Sequence, residues 1–126
     1  MKLQLEAEQW LKEKYGNMEI NEYQRKAIEF AIYPKSHRIL YPALGLAGEA
    51  GEVANKVKKF VRDGYDQETF EQKKIELASE IGDVLWYCAN LANDIGFKLG
   101  DIAQENYTKL SSRASRGKLG GDGDSR

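Results

Sequence analysis

Four carboxylates in two pairs are the side chains best placed to do chemistry in this chain. Glu49 and Glu52 stand in Gly48-Glu49-Ala50-Gly51-Glu52, and Glu80 and Asp83 stand in Ser79-Glu80-Ile81-Gly82-Asp83. Each pair has i, i+3 spacing within an apolar helical pattern. The first runs through Leu44, Leu46, Ala47, Ala50, Val53, Val57 and Phe60, the second through Leu77, Ala78, Ile81, Val84 and Leu85. At about 3.6 residues per turn, residues three apart share a face, so each pair points one way. Four acids gathered in one seam repel one another and lose hydration, a cost that a bound cation removes. An all-oxygen, all-carboxylate donor set suits a hard divalent ion, Mg²⁺ first and Mn²⁺ next. One such pair alone is ordinarily a solvated acidic face. Two pairs in register among apolar residues and glycines point to a metal site.

The elements that must position these acids are two long helices, over about 44–62 and 67–95. Between them Asp63-Gly64-Tyr65-Asp66-Gln67 supplies a glycine stop and, in Asp66, an N-cap for the second helix. Folding the chain back at residue 66 sets opposite each other positions whose numbers total 132. Glu52 then opposes Glu80 and Glu49 opposes Asp83, both about 14 residues, or roughly 21 Å, from the turn. Lys56 continues the carboxylate face and opposes Glu76, while Lys59 opposes Lys73. Lys56 has two readings: an ion pair with Glu76, worth little if exposed, or a cation that meets a polyphosphate beside the metal.

The rest of the chain reads as shorter helices. Residues 3–15 carry a weakly amphipathic helix ended by Gly16. Asn21 is a candidate cap for a second, with an apolar face of Tyr23, Ala27, Phe30 and Ala31, which stops before Pro34. A connector over 34–42 follows, and Gly96 closes the second long helix. A last helix spans about 99–113, where Asn106, Lys109 and Arg113 lie at i, i+3 and i+7. One amide and two cations in line form an anion-binding stripe, although taken alone they read as a solvated basic face near a helix C-terminus. No alternating β pattern and no internal repeat occur. The expectation is an all-α domain over 1–115, a bundle of four to five helices around an antiparallel central pair. A glycine-rich tail over 116–126 is expected to be mobile unless something holds it.

Composition narrows the function. A net charge of −1 gives no basic footprint, so nucleic acid is not an expected partner. No apolar run approaches the roughly 18 residues a membrane helix needs, and no signal peptide is expected at the start. The lone Cys88 sits in an apolar run and reads as a buried thiol in a reducing compartment, which makes the cytoplasm the expected location. His37 falls in the connector as a surface residue. The Glu-x-x-His motif of di-iron bundles is missing, as are a Gly-x-x-x-x-Gly-Lys phosphate loop and a Ser-His or Cys-His pair. A helix hairpin with so polar a seam needs added apolar surface. Trp10, Ile28, Phe30, Trp86 and Leu91 are therefore expected to form a dimer core.

The run from Leu44 to Val53, followed by Glu80-Ile81-Gly82-Asp83-Val84-Leu85-Trp86-Tyr87, resembles the E-x-x-E…E-x-x-D signature of MazG-type nucleotide pyrophosphohydrolases. The likeness extends to Asn21-Glu22-Tyr23-Gln24, to Tyr41-Pro42 and to Glu105-Asn106-Tyr107-Thr108-Lys109-Leu110, covering about residues 20–113. It implies an all-α fold assembling as a homodimer or a tetramer of dimers around a four-helix-bundle core. It further implies Mg²⁺-dependent hydrolysis of nucleoside triphosphates to monophosphate and pyrophosphate. By that resemblance Glu49, Glu52, Glu80 and Asp83 are the metal ligands and catalytic acids, Asn106 and Lys109 contact phosphates, and Gln24 belongs to a base or sugar pocket. One of the acids, Glu52 or Glu49, activates the attacking water, and Lys109 with Lys56 or Arg113 meets the leaving pyrophosphate. The single short copy departs from tandem-domain members, whose regulatory roles are not implied. Two other readings stay open: an enzyme restricted to dUTP or dCTP, and a non-catalytic helical module that uses the acids as a structural metal clamp.

Overall fold

The computed structural model describes residues 2–64 and 66–126, with side chains at all of these except 2–4 and 67–69. Tyr65 in the expected turn and the Leu3 side chain in the expected first helix lie outside that set. Among the described residues the chain is all-helical. It forms α1 (Lys2–Tyr15), α2 (Ile20–Ala27), α3 (Leu40–Asp63), α4 (Gln67–Asp94) and α5 (Leu99–Ser115), with 3₁₀ turns at Ile28–Phe30 and Lys35–His37. None of these helices is long and apolar enough to cross a membrane.

The antiparallel pair α3 and α4 is the frame, and its register is the expected one. Lys56 Nζ lies 3.6 Å from a carboxylate oxygen of Glu76 and 3.6 Å from one of Glu80. Nearer the turn, the Phe60 and Phe70 rings meet edge-to-face at 6.4 Å. α3 opens at Leu40, sooner than its apolar pattern suggests. Pro42 is the reason this is possible: in a first helical turn its missing N–H would have had no intrahelical partner. At the start of α4 the Asp66 carbonyl accepts the Phe70 N–H at 3.0 Å, as an N-cap residue does.

Gly45 lies opposite Tyr87 in the same register, and a Cβ added there would overlap the tyrosine ring. Gly45→Ala would gain about 1 kcal/mol of helix propensity but overpack the seam at about 1–3 kcal/mol. We expect a lower unfolding midpoint and an altered near-UV signal for Gly45→Ala. The same change should be harmless in a Tyr87→Ala background.

α2, α4 and α5 meet at the far end of the frame. Ala27, Ala89, Ala92 and Leu99 are buried there, with Ile20, Tyr23, Leu85, Trp86 and Cys88 packed around them. Gly96, at φ 86°, lets α4 end in a Schellman closure: Phe97 N–H donates to Ala92 O at 2.9 Å and Gly96 N–H to Asn93 O at 3.0 Å. Cys88 is half-buried, and burial pushes its thiol above the ordinary value.

Two local expectations change. The α2 cap is Glu19, whose carboxylate accepts from the Asn21 and Glu22 N–H groups at 3.0 and 3.2 Å. Asn21 instead turns its Oδ1 to the Gly100 N–H at 2.8 Å, joining α2 to the start of α5. Phe30 leaves the α2 stripe, because the chain tightens to a 3₁₀ turn after Ala27 and rotates the ring out to 72% exposure. Every described side chain of α1 is exposed, Trp10 among them.

The connector is tightly shaped. Leu40 N–H donates to Arg38 O at 2.8 Å across Ile39, whose φ of 69° makes a γ-turn of the rare, strained hand. Asp94 Oδ2 accepts both the Ile39 N–H at 2.9 Å and the Tyr33 hydroxyl at 3.0 Å.

Candidate active site

Helical phase decides which side chains enter the α3–α4 seam. Lys56 and Phe60 follow Glu49 at i+7 and i+11, within about 20° of it around the helix, whereas Glu52 is about 60° away. The outcome matches. Glu49, Glu80 and Asp83 each present a carboxylate oxygen, and the three atoms lie within 4.8 Å of one another. Glu52 is exposed on the next turn and is not one of the three.

The trio is electrostatically unfavourable by itself. Burial raises the Glu49 carboxyl above its ordinary value, helped by a hydrogen bond with Glu80 and by the charges of Asp83, Glu80 and Glu52. A raised folded-state value favours the protonated acid in the fold. That contribution to stability is therefore present at low pH and lost as pH rises through the glutamate range and above it. Glu76 and Asp63, lowered by Lys73 and Arg62 respectively, slope the other way, so a difference measurement is required. In metal-free buffer, Glu49→Gln should gain melting temperature relative to the parent as pH rises, and the gain should vanish in acid.

The donor set fits a hard divalent ion. Three carboxylate oxygens within 4.8 Å of one another are the kind of all-oxygen ligands that would hold Mg²⁺. Lys56 pairs with Glu76, as the simpler reading of that residue had it, and reaches Glu80 as well. It thus already brings a positive charge to the edge of the cluster.

A run of aromatic rings leads away from the acids. Tyr87 touches Trp86 edge-to-face at 5.0 Å and Tyr41 at 6.3 Å, and Tyr41 stacks on Tyr33 at 4.8 Å. Burial first, then Tyr41, then the charges of Glu49 and Asp83 raise the Tyr87 hydroxyl, which places it in the field of the cluster. Tyr33 is pushed up to about 12 by burial and by its hydrogen bond to Asp94. Beyond it a cavity of about 290 Å³ is lined by Tyr33, Lys35, Arg38, Asn90, Asn93 and Asp94. The sequence did not single out Tyr33 or Arg38; Asn90 and Asp94, which continue the carboxylate stripe of α4 past Tyr87, and Tyr41-Pro42 were the signals pointing to this corner.

The α5 stripe is separate from the trio. Asn106 and Lys109 line a cavity of about 600 Å³ with Phe97, Asp101, Ile102 and Glu105, none of which is a cluster acid. Arg113 is only 5% exposed, and it and Lys109 both contact Asp124 of the tail. Gln24 is committed elsewhere. Its amide NH₂ donates to Ala89 O at 3.2 Å and Phe97 O at 3.0 Å, and its Oε1 accepts the Leu99 N–H at 2.9 Å. Both donors and the carbonyl thus brace α2, α4 and the start of α5.

Residues 37–117 match the family model described as the MazG nucleotide pyrophosphohydrolase domain. This chain is a member of that family. The MazG match covers α3, α4 and α5 in full, and with them every acid of the cluster and the whole α5 stripe. The chain is also similar to the Gene 37 protein of Mycobacterium phage L5, 43% identical over an alignment of 115 residues that covers 86% of this chain and 100% of that protein. No solved structure matches it. The MazG family acts on nucleotides and generally uses a divalent metal, and among the described residues the acidic trio is a group that could hold one.

Proposed function

We propose that this MazG chain is a Mg²⁺-dependent nucleoside triphosphate pyrophosphohydrolase that clears nucleotides from the cytoplasmic pool. The observation that carries the reading is the convergence of Glu49, Glu80 and Asp83 to within 4.8 Å. These three would hold the ion, with Glu52, on α3 beside Glu49, as fourth ligand. When bound, the ion supplies Lewis acidity, neutralising triphosphate oxygens and acidifying water.

The protein's own groups do the rest. Glu52 or Glu49 takes a proton from the attacking water, and burial and neighbouring charge raise the Glu49 carboxyl above its ordinary value, which favours proton uptake there. The water oxygen bonds to the α-phosphorus while the bond to the bridging oxygen breaks, and pyrophosphate leaves in line. Lys56, beside the cluster, together with Asn106, Lys109 and Arg113 on α5, takes up charge on the phosphates. The Tyr87–Tyr41–Tyr33 rings offer stacking surface on the nucleoside side. Leu44, Val61, Ile75 and Ile81 leave more than half their surface exposed on the α3–α4 frame, and this apolar area supports a homo-oligomer.

Purified protein with Mg²⁺ and a panel of nucleoside triphosphates should release pyrophosphate and monophosphate. Orthophosphate as the sole product, or turnover undiminished by EDTA, would overturn the reading. A metal effect on melting temperature with no turnover would make the chain a non-catalytic module.

A further inference from the structure

The tail is folded, and what it covers carries a consequence. Gly117 closes α5, with Lys118 N–H donating to Arg113 O at 2.7 Å, and the chain then curls back. Gly121 and Gly123 take φ of 92° and 79°, values at which a side chain would be strained. Arg126 fastens the curl by donating to Gly123 O and Leu119 O, and Arg116 donates to the Arg126 carbonyl at 3.0 Å. The composition-based expectation of a mobile tail therefore meets its condition: something does hold it.

The curl delivers one carboxylate onto the α5 cations. Asp124 Oδ1 lies 3.3 Å from Lys109 Nζ and 3.2 Å from Arg113 Nη2, and that Nη2 also donates to the Asp124 carbonyl at 2.9 Å. We propose that the segment 116–126 is an intramolecular competitor of substrate, with Asp124 occupying Lys109 and Arg113 until a phosphate displaces it. The proposal rests on the polyphosphate reading of α5 given above.

Three features make Asp124 a displaceable occupant. Arg113 is buried yet uses only part of its donor fork, and its Nε is buried with no hydrogen-bond partner among the described residues. A guanidinium is best satisfied by an anion that engages two donors side by side, which a phosphate's several oxygens do and a single shared carboxylate oxygen does not. The Asp124 side chain is 88% exposed, so water screens its attraction to both cations. Carboxylate and phosphate need the same donors and repel each other, so the two cannot sit there together.

The effect is that of a binding-competent state that is only partly populated. If the tail is docked for most of the time, affinity for polyphosphate falls by the undocked fraction, an effect of about 3- to 10-fold. The test uses the full chain with Mg²⁺ and inorganic tripolyphosphate as the probe in titration calorimetry. Asp124→Asn should bind about 3- to 10-fold tighter than the parent, and KM for nucleoside triphosphate should fall by the same factor with kcat unchanged. Asp122→Asn, also in the tail, should match the parent. Tripolyphosphate should also speed tryptic cleavage at Lys118 in the parent. Equal or weaker binding by Asp124→Asn, with turnover normal, would overturn the competitor and leave the enzyme reading standing. If neither protein binds tripolyphosphate or hydrolyses nucleotides while both melt normally, the polyphosphate reading fails and the proposal with it.

Discussion

Asp83→Asn should lower the rate of pyrophosphate release by roughly 10³-fold, the scale seen when one preorganised charge-stabilising group is removed from a site. Among the described residues Asp83 is one of three carboxylates whose oxygens converge, so its loss leaves Glu49 and Glu80, with Glu52, for an ion that wants several. The same substitution removes one negative charge from a cluster that already raises Glu49. The metal-free protein should therefore melt no lower than the parent, while the rise in melting temperature on adding Mg²⁺ should vanish. Loss of activity through misfolding would lower the metal-free melting temperature as well, so the two measurements separate the causes. Full turnover by Asp83→Asn would place the chemistry elsewhere.

Gln24→Leu should have the largest effect on stability. The leucine fills the volume but strands the Leu99 N–H and removes the extra donor to Ala89 O and Phe97 O, in a position only 7% exposed. Leaving buried groups unpaired on this scale costs about 2–4 kcal/mol, or roughly 8–15 °C of melting temperature for a chain of this size. The resemblance to MazG proteins put Gln24 in a base or sugar pocket, and the experiment distinguishes the roles. A brace predicts that the variant, assayed well below its melting point, keeps the parent KM. A nucleotide contact predicts a raised KM at nearly unchanged stability.

The central hairpin was legible because its information is local. A glycine stop and a steady helical period fix where each residue stands, which is why Lys56 meets Glu76 and Gly45 meets Tyr87 in the expected register. The i, i+3 rule was coarser than the site requires. Three residues advance a helix by about 300°; on α3 the 60° shortfall goes with Glu52 outside the trio while Glu49 joins it, whereas on α4 the same spacing keeps both Glu80 and Asp83 in it. The hydrogen bonds of Gln24 could not be read, because its partners lie 65 to 75 positions away in sequence. The tail was obscured for a different reason. Glycine-rich composition signals freedom on average, whereas here glycines at positive φ allow one specific curl. The start of α3 was hidden by Pro42, which interrupts a helix in its interior but not in its first turn.

The turn at Ile39 gives the connector a threshold. A β-branched residue held in that half of conformational space costs on the order of 1–3 kcal/mol, and Asp94 Oδ2 holds both this turn and the Tyr33 hydroxyl, which also lies 3.5 Å from Asn90 Oδ1. Whatever takes Asp94 away therefore releases the turn and loosens Tyr33 in one step, and the backbone energy held at Ile39 favours the open form. Amide exchange from Tyr33 through Leu40 should follow one shared opening event, distinct from the slower exchange of the long helices on either side.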